Sequence, residues 1–406
     1  MDTNSAASRL SFDTGAGGQS QAVSVSVSDG SAAPASLLLP VPVEAAQSGS
    51  ATLGDDHFAF KLQTASHSER GTSDALLSAP LSAEVLQRRL PSHFACDACQ
   101  EVIIDSSGTK TYRALPSQHW EELIDAWMCH DDQEINVSVT RGREGMEEGR
   151  RIADGDAWVA DALIAWPGAC ASAGSLRMES RPTSSDASQP LWDLHCAACG
   201  VALGYAAPNL ELGQPSSPEP PALQDASVRL HKRALLPITE SVATACPSLF
   251  PILAANELYQ LSQAHAARHF VVEEEDTGRP RAMLWLFLAS CQLSLSPTPR
   301  LSRILHASSP DESGHVVLTA SKVFFRDLTA DEVAEHHEQR QQGSVGGATA
   351  VPWSMPAAVE RLTYPARSCA ALLEALAAAN ACYPPSRRCF GPWSVSFLEA
   401  VSPAWT

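Results

Sequence analysis

The sequence predicts an α+β protein, with a mainly antiparallel β part carrying cysteine knuckles towards the N-terminus and an α+β part towards the C-terminus. Three observations lead there. Residues 21–65 hold short β-type runs separated by turn-rich spacers, and Val23, Val25 and Val27 alternate with serine, the period-two pattern of a half-buried strand. Two C-x-x-C pairs, Cys96/Cys99 and Cys196/Cys199, each sit beside a β-type run. Beyond a Pro-rich segment at 208–222, strand-like runs alternate with apolar helical ones, as in an α+β arrangement.

Residues 1–20 are small and polar and are expected to be a disordered leader. Strands follow at QAVSVSVSDG, SLLLPVPVEAA and HFAFKLQT. Leu76 to Leu90 is weakly helical and leads into HFACDACQEVII, a knuckle followed by a strand at Val102 to Ile104. A further strand, Thr109 to Leu115, feeds the clearest helix of the chain. Trp120, Leu123, Ile124, Trp127 and Met128 fall at i, i+3, i+4, i+7 and i+8, so all five share one face. Pro116 and Ser117 supply its start signal, and Glu121 and Glu122 suit its positive end. Its other end presents Cys129 and His130 where the dipole is negative. A thiol there is a poor nucleophile but an acceptable metal ligand or packing residue.

RGREGMEEGRR (141–151) reads as a loop or a species-specific insertion, AWVADALIAW (157–166) as one buried strand and 172–190 as a linker. LWDLHCAACGVALGYA carries the sharper knuckle, because Gly200 after Cys199 lets the backbone turn tightly. The segment 208–222 cannot bury a core, so it separates a β-rich part over 21–207 from a C-terminal part over 223–406. That part opens with a strand at SVRLHKRALLP and a helix from Leu249 to His269, with Leu253, Leu258 and Leu261 facing inward. FVVEEE, AMLWLFLASCQL and HVVLTASKVFF follow as strands, the middle one apolar on both faces and so expected at the centre of its sheet. The acidic run Glu273 to Asp276 reads as a strand end entering a turn. A polar helix from Thr329, a strand at VERLTYP, an Ala/Leu-rich helix from Ser368 to Asn380, a PPSRR turn and a strand at WSVSFLE complete the chain.

Lysine and arginine number 28 against 46 acidic residues, a net charge of −18. Such a surface repels a phosphate backbone and argues against nucleic-acid binding. The first residues lack an apolar signal region, and the longest apolar run, Ala282 to Leu293, is too short to span a bilayer. The expectation is therefore a cytoplasmic or nuclear protein. Eleven cysteines in a reducing compartment favour metal over disulfides. Four thiolates complete a tetrahedron, so Cys96, Cys99, Cys196 and Cys199 are expected to hold one structural zinc. Cys129 and His130 are alternative or additional ligands, and a coincidental second pair is the competing reading.

No Gly-rich phosphate loop, serine nucleophile elbow or H-E-x-x-H motif occurs. His336 and His337 lie on a charged helix with no partner at ligand spacing. Among possible nucleophiles, Cys369 falls in the first turn of a helix, whose positive end lowers a thiol pKa, and Cys389 has Arg387 and Arg388 beside it. For both, packing as a small core residue is the alternative.

LPSQHWEELIDAWMCH, CAACGVALG and the tail LTYPARSCAALLEALAAANACYPPSRRCFGPWSVSFL together resemble the HECT-like family of proteins that bind ubiquitin-conjugating enzymes. The resemblance runs from about residue 20 to the end. It implies a ubiquitin-protein ligase that binds a ubiquitin-conjugating enzyme and accepts or transfers ubiquitin. Some members are linked to pre-mRNA 3′-end cleavage, which implies as the alternative a non-enzymatic binding protein of that nuclear machinery. The family often carries G-D-[CST]-aromatic after the C-H helix; the counterpart here is Gly155, Asp156, Ala157 and Trp158, with neither thiol nor hydroxyl at the third position. If thioester chemistry depends on that position, Cys369 is left as the candidate, by its place near the C-terminus.

Overall fold

A computed structural model of the chain describes residues 10–14, 19–27, 35–44, 46–50, 52–53, 56–64, 79–115, 152–180, 191–208, 221–239, 247–306, 314–334, 359–401 and 405. The expected helix at 116–130 with Cys129 and His130, the loop at 141–151, most of the Pro-rich segment and His336 and His337 lie outside the described residues. Two compact units form. One comprises Met1–Ser78 and Ala254–Ala404, the other Ala79–Leu253 with Trp405–Thr406.

In the first unit, β1 (Leu10–Asp13), β2 (Gln19–Val27), β3 (Ala35–Glu44) and β4 (Ser48–Ser50) make an antiparallel sheet in the order β3-β2-β1-β4, with β5 (Thr52–Leu53) and β6 (Phe58–Ala59) as a separate pair. Residues 10–14 are thus not a disordered leader. Phe12 pairs with Val25 and stacks on Phe60 at 5.0 Å, while the buried Thr14 hydroxyl donates to the Glu44 carbonyl at 3.3 Å and accepts the Gln47 N–H at 2.9 Å. One aromatic ring and one satisfied hydroxyl are enough to order a short, otherwise polar strand.

The second unit begins with α1 (Ala83–Arg89), capped by Ser82, whose hydroxyl accepts the Val85 N–H at 3.3 Å. Ten strands follow: β7 (His93–Cys96), β8 (Val102–Asp105), β9 (Thr111–Ala114), β10 (Asp156–Val159), β11 (Leu163–Pro167), β12 (Leu176–Ser180), β13 (Trp192–Cys196), β14 (Ala202–Pro208), β15 (Ala226–His231) and β16 (Leu235–Ile238). They form a seven-stranded sheet, β12-β13-β14-β15-β11-β10-β9, and a three-stranded one, β16-β7-β8. Phe94, Trp166 and Trp192 are buried in this unit, the first two with ring centroids 4.9 Å apart.

Three expectations are corrected here. AWVADALIAW is a hairpin and not one strand: Trp158 faces Ala165, and the Ala160 N–H closes on the Leu163 carbonyl at 2.9 Å. Asp161 at the tip avoids the cost of burying a carboxylate within a strand. Residues 176–180 of the presumed linker are paired as β12 with β13. The third correction is the boundary, since 226–238 belongs with the cysteine knuckles and not with the C-terminal part. β15 is buried on both faces and lies between β14 and β11, and β16 pairs with β7 at Leu235 and Cys96.

The remaining first unit contains α2 (Phe250–Ala264, whose first residues fall in the second unit), β17 (His269–Glu274), β18 (Pro280–Leu295), β19 (Val316–Arg326), β20 (Val359–Tyr364), α3 (Ala366–Asn380), β21 (Cys389–Phe390) and β22 (Trp393–Glu399). Their sheet runs β20-β17-β18-β19-β22-β21. β18 is internal, as its apolarity predicts. Its first half is buried, but a bulge opposite Val323 and Lys322 breaks the alternation, and Phe287 and Leu288 emerge at 43% and 44% exposure. The α3 helix packs on β22, where the buried Ser396 hydroxyl donates to the Leu376 carbonyl at 2.7 Å. The fold is therefore mostly β, and its larger sheets are mixed and not purely antiparallel, because β9–β10 and β17–β20 pair in parallel.

A capping box closes the turn after β19. The Thr329 N–H donates to Glu332 at 2.8 Å, the Glu332 N–H reaches back to the Thr329 hydroxyl at 3.3 Å, and Arg326 grips the same carboxylate at 2.5 and 2.7 Å. Arg326 holds the Glu332 carboxyl down to about 2, from an ordinary 4.5. A depressed folded-state pKa adds stability that is full above 4.5 and lost as pH falls towards 2. In urea unfolding followed by tryptophan fluorescence, wild type should lose more stability across that window than Glu332→Gln. Parallel pH curves for the two would contradict this.

Candidate metal centre

The two knuckles are the same hairpin built twice. Cys96 ends β7 and Cys196 ends β13. In the first, the Cys96 N–H donates to the Glu101 carbonyl at 2.8 Å and the Gln100 N–H returns to the Cys96 carbonyl at 2.8 Å; in the second, Cys196 with Val201 and Gly200 with Cys196 repeat this at 2.9 and 2.8 Å. Both knuckles end on a left-handed residue, Gly200 at φ +74° and Gln100 at φ +64°. Glycine adopts that conformation freely, whereas glutamine gives up roughly 1–2 kcal/mol. The expected sharper turn at Gly200 is therefore real, but the first knuckle reaches the same shape against its residue's preference.

What holds the knuckles is not local. The Asp97 N–H donates to the Ala234 carbonyl at 3.0 Å, the Ala197 N–H to the Ser175 carbonyl at 2.8 Å, and the Ser248 hydroxyl to the Asp97 carboxylate at 3.1 Å. Sequence reasoning missed these anchors, because residues 175 and 234 were read as linker and as another domain.

All four sulfurs lie within 4.8 Å of one another, with Cys96 and Cys99 facing Cys199 and Cys196 at 3.7 and 3.6 Å. A tetrahedral ion with metal–sulfur bonds of about 2.3 Å requires sulfur–sulfur edges of about 3.8 Å. Cys96 and Cys196 are buried and Cys99 and Cys199 are exposed, so the cluster has one face in the fold and one at its surface. Burial pushes the Cys96 and Cys99 thiols up, while Cys199 is drawn down because the Val201 N–H and the neighbouring thiols donate to it in spite of its own desolvation. Four such thiols cannot ionise together without a cation, and these four residues together could hold a metal ion.

Cys369 is different. Its helix position is as expected, in the first turn of α3, but the side chain is fully buried and its thiol donates to the Glu273 and Tyr364 carbonyls, both at 3.4 Å. Burial, with the nearby Glu274 charge, pushes the thiol up to about 11. Desolvation thus outweighs the helix dipole, whose influence is small by comparison, and the accessible thiolate inferred from sequence position is not there. Cys389 is exposed on β21. Its neighbours are engaged elsewhere: Arg387 donates to His57 at 3.2 Å, and Arg388 to the Tyr383 and Ala381 carbonyls at 2.9 and 3.0 Å. Ala157, at the variant third position of the G-D-x-aromatic segment, is wholly buried in β10.

Comparison with known proteins agrees with the knuckles and tail. Residues 5–395 match the family described as HECT-like ubiquitin-conjugating enzyme (E2)-binding. The chain belongs to this family. Relatives include an uncharacterized protein of Schizosaccharomyces pombe, 24% identical over 76% of this chain and 72% of its own. Two proteins named as E3 ubiquitin-protein ligases are also similar: that of Bos taurus is 22% identical over 75% of this chain and 72% of its own, and that of Pongo abelii 24% over 88% and 84%. No solved structure matches the chain. The family description makes a ubiquitin-conjugating enzyme the partner of this HECT-like protein.

Proposed function

We propose that this HECT-like chain is a ubiquitin-protein ligase, which binds a ubiquitin-conjugating enzyme carrying ubiquitin and promotes transfer to a protein substrate, with zinc in the four-cysteine site as structural support. The observation that carries the reading is the family match, which extends through both knuckles and into the C-terminal hairpin. The ligase names of two distant relatives agree with it. Zinc, and not a harder cation, suits an all-thiolate set.

Cys369 has no part in transfer. Of the described cysteines, only Cys389 combines exposure with freedom from the cluster, and this favours a second reading in which ubiquitin passes through it. The Cys389 thiolate would attack the thioester carbonyl of the charged enzyme, expel that enzyme's cysteine as a thiolate, and leave ubiquitin on Sγ with no net redox change.

Charged conjugating enzyme mixed with wild type, Cys369→Ser and Cys389→Ser separates the routes. Discharge is expected to quicken with wild type and to stay within about twofold of that in Cys369→Ser, since serine removes no reacting group. A reductant-sensitive adduct lost only in Cys389→Ser would establish the covalent route. Faster discharge without an adduct would establish direct transfer from the conjugating enzyme, and no acceleration by wild type would overturn the ligase reading.

A further inference from the structure

Six large apolar side chains are exposed among the described residues, and four of them, Phe287, Leu288, Val317 and Phe390, belong to the sheet of β17 to β22. Phe287 and Phe390 are the outer members of a continuous aromatic cluster. Phe287 stacks on Phe324 at 5.0 Å; Trp285 meets Phe287, Phe324 and Trp393 at 5.6, 5.2 and 5.8 Å; and Phe390 lies 5.9 Å from Phe324 and 6.5 Å from Trp285. Lys322 Nζ is held 5.4 Å from Phe287, and the Arg326 guanidinium lies 5.0 Å over Trp393 while paired with Glu332.

None of this follows from core packing. Phe287 is outside because it is the extra residue of the β18 bulge, and Phe390, 60% exposed, sits at the tip of the two-stranded turn that Gly391 closes at φ +58°. Ring clusters with an exposed edge and a cationic rim are the composition of protein–protein hot spots. A chain of net charge −18 that sets Lys322 against these rings selects a partner surface bearing a carboxylate beside its apolar residues.

We infer that this aromatic face is where the ubiquitin-conjugating enzyme docks, through an apolar projection flanked by an acidic side chain. The inference deepens the reading given under Proposed function and rests on it. It also places the bound enzyme beside Cys389, the residue before Phe390 in the same hairpin.

The test is a titration of the full chain against a panel of purified, uncharged conjugating enzymes. The tightest binder is then measured with Phe390→Ser, Phe287→Ser and Lys322→Glu, and with Leu90→Ser as the control, since Leu90 is exposed in the other unit. Melting of each variant, with binding measured well below its transition, keeps loss of fold from being read as loss of binding. Support would be a rise in Kd of at least about tenfold for each phenylalanine variant, a weaker and less salt-sensitive interaction for Lys322→Glu, and no change for Leu90→Ser. Normal binding by all three patch variants would overturn the surface while leaving the ligase reading intact. Absence of binding by wild type to every enzyme in the panel would remove both. Loss in the patch variants of affinity for free ubiquitin alone, or of self-association in sedimentation, would assign the face to those partners instead and overturn the inference.

Discussion

Cys196→Ser should release the metal and unfold the unit built from residues 79–253. Protein purified without added metal is expected to carry about one equivalent of zinc per chain, and the variant essentially none. The size of the effect follows from the architecture. Cys96 and Cys196 are the last residues of β7 and β13, which lie in different sheets, and the ion would join them at one point. Structural zinc contributes about 10–16 kcal/mol in small sites, against a domain's net stability of about 5–15 kcal/mol. Removal of Cys196 also leaves Cys96, a buried thiol that burial disfavours as a thiolate. Elemental analysis with circular dichroism melting is the check. Less than half an equivalent of zinc in wild type, or unchanged melting in the variant, would refute the metal centre.

The second large effect is expected from Gly168→Ala, a change of one methyl group. A Cβ at this position would stand 1.7 Å from the Leu223 carbonyl oxygen and 2.9 Å from that of Ala226. Both obstacles are backbone, and Ala226 begins β15, which is fixed between β14 and β11. Ordinary overpacking costs about 1–3 kcal/mol when side chains can yield. Here the main chain must move, so roughly 3–5 kcal/mol is expected, in the range that single substitutions seldom reach. Gly174→Ala is the comparison: its φ is +73° but nothing lies within 4 Å of a Cβ, so only the left-handed penalty of roughly 1–2 kcal/mol applies. Chemical denaturation of the two variants should rank Gly168→Ala well below Gly174→Ala in stability, and the reverse order would show that the 168–226 contact is not rigid.

That contact also explains why the domain boundary was misread. Proline and serine content shows correctly that 208–222 has little to bury, but composition carries no information about where the chain goes next. Residues 223–225 form a turn whose backbone lies against Gly168, and the strands after it complete sheets begun more than 60 residues earlier. Polarity also misled at residues 10–14 and 176–180, which are ordered by pairing with β2 and β4 and with β13.

Taken by itself, the sequence determined the features that are local in the chain: the strands at Val23 and Val102, the two C-x-x-C hairpins, the helices at 250–264 and 366–380, and the HECT-like family. The requirement of four ligands for a closed site grouped Cys96 and Cys99 with Cys196 and Cys199 as the expected set, with Cys129 and His130 left as alternatives, because coordination number is chemistry and not topology; the closeness of the four sulfurs came only with the structure. Tertiary structure alone decided the remainder. It placed β15 and β16 with the knuckles, used the Ala234 and Ser175 carbonyls to hold them, buried Cys369 and raised its thiol, and brought Phe287 and Phe390 onto one aromatic cluster. The reason is that hydrophobic periodicity and helix position report which face of an element is apolar and which end carries a dipole. Whether that face is covered, and whether desolvation overrides that dipole, depends on residues distant in the chain.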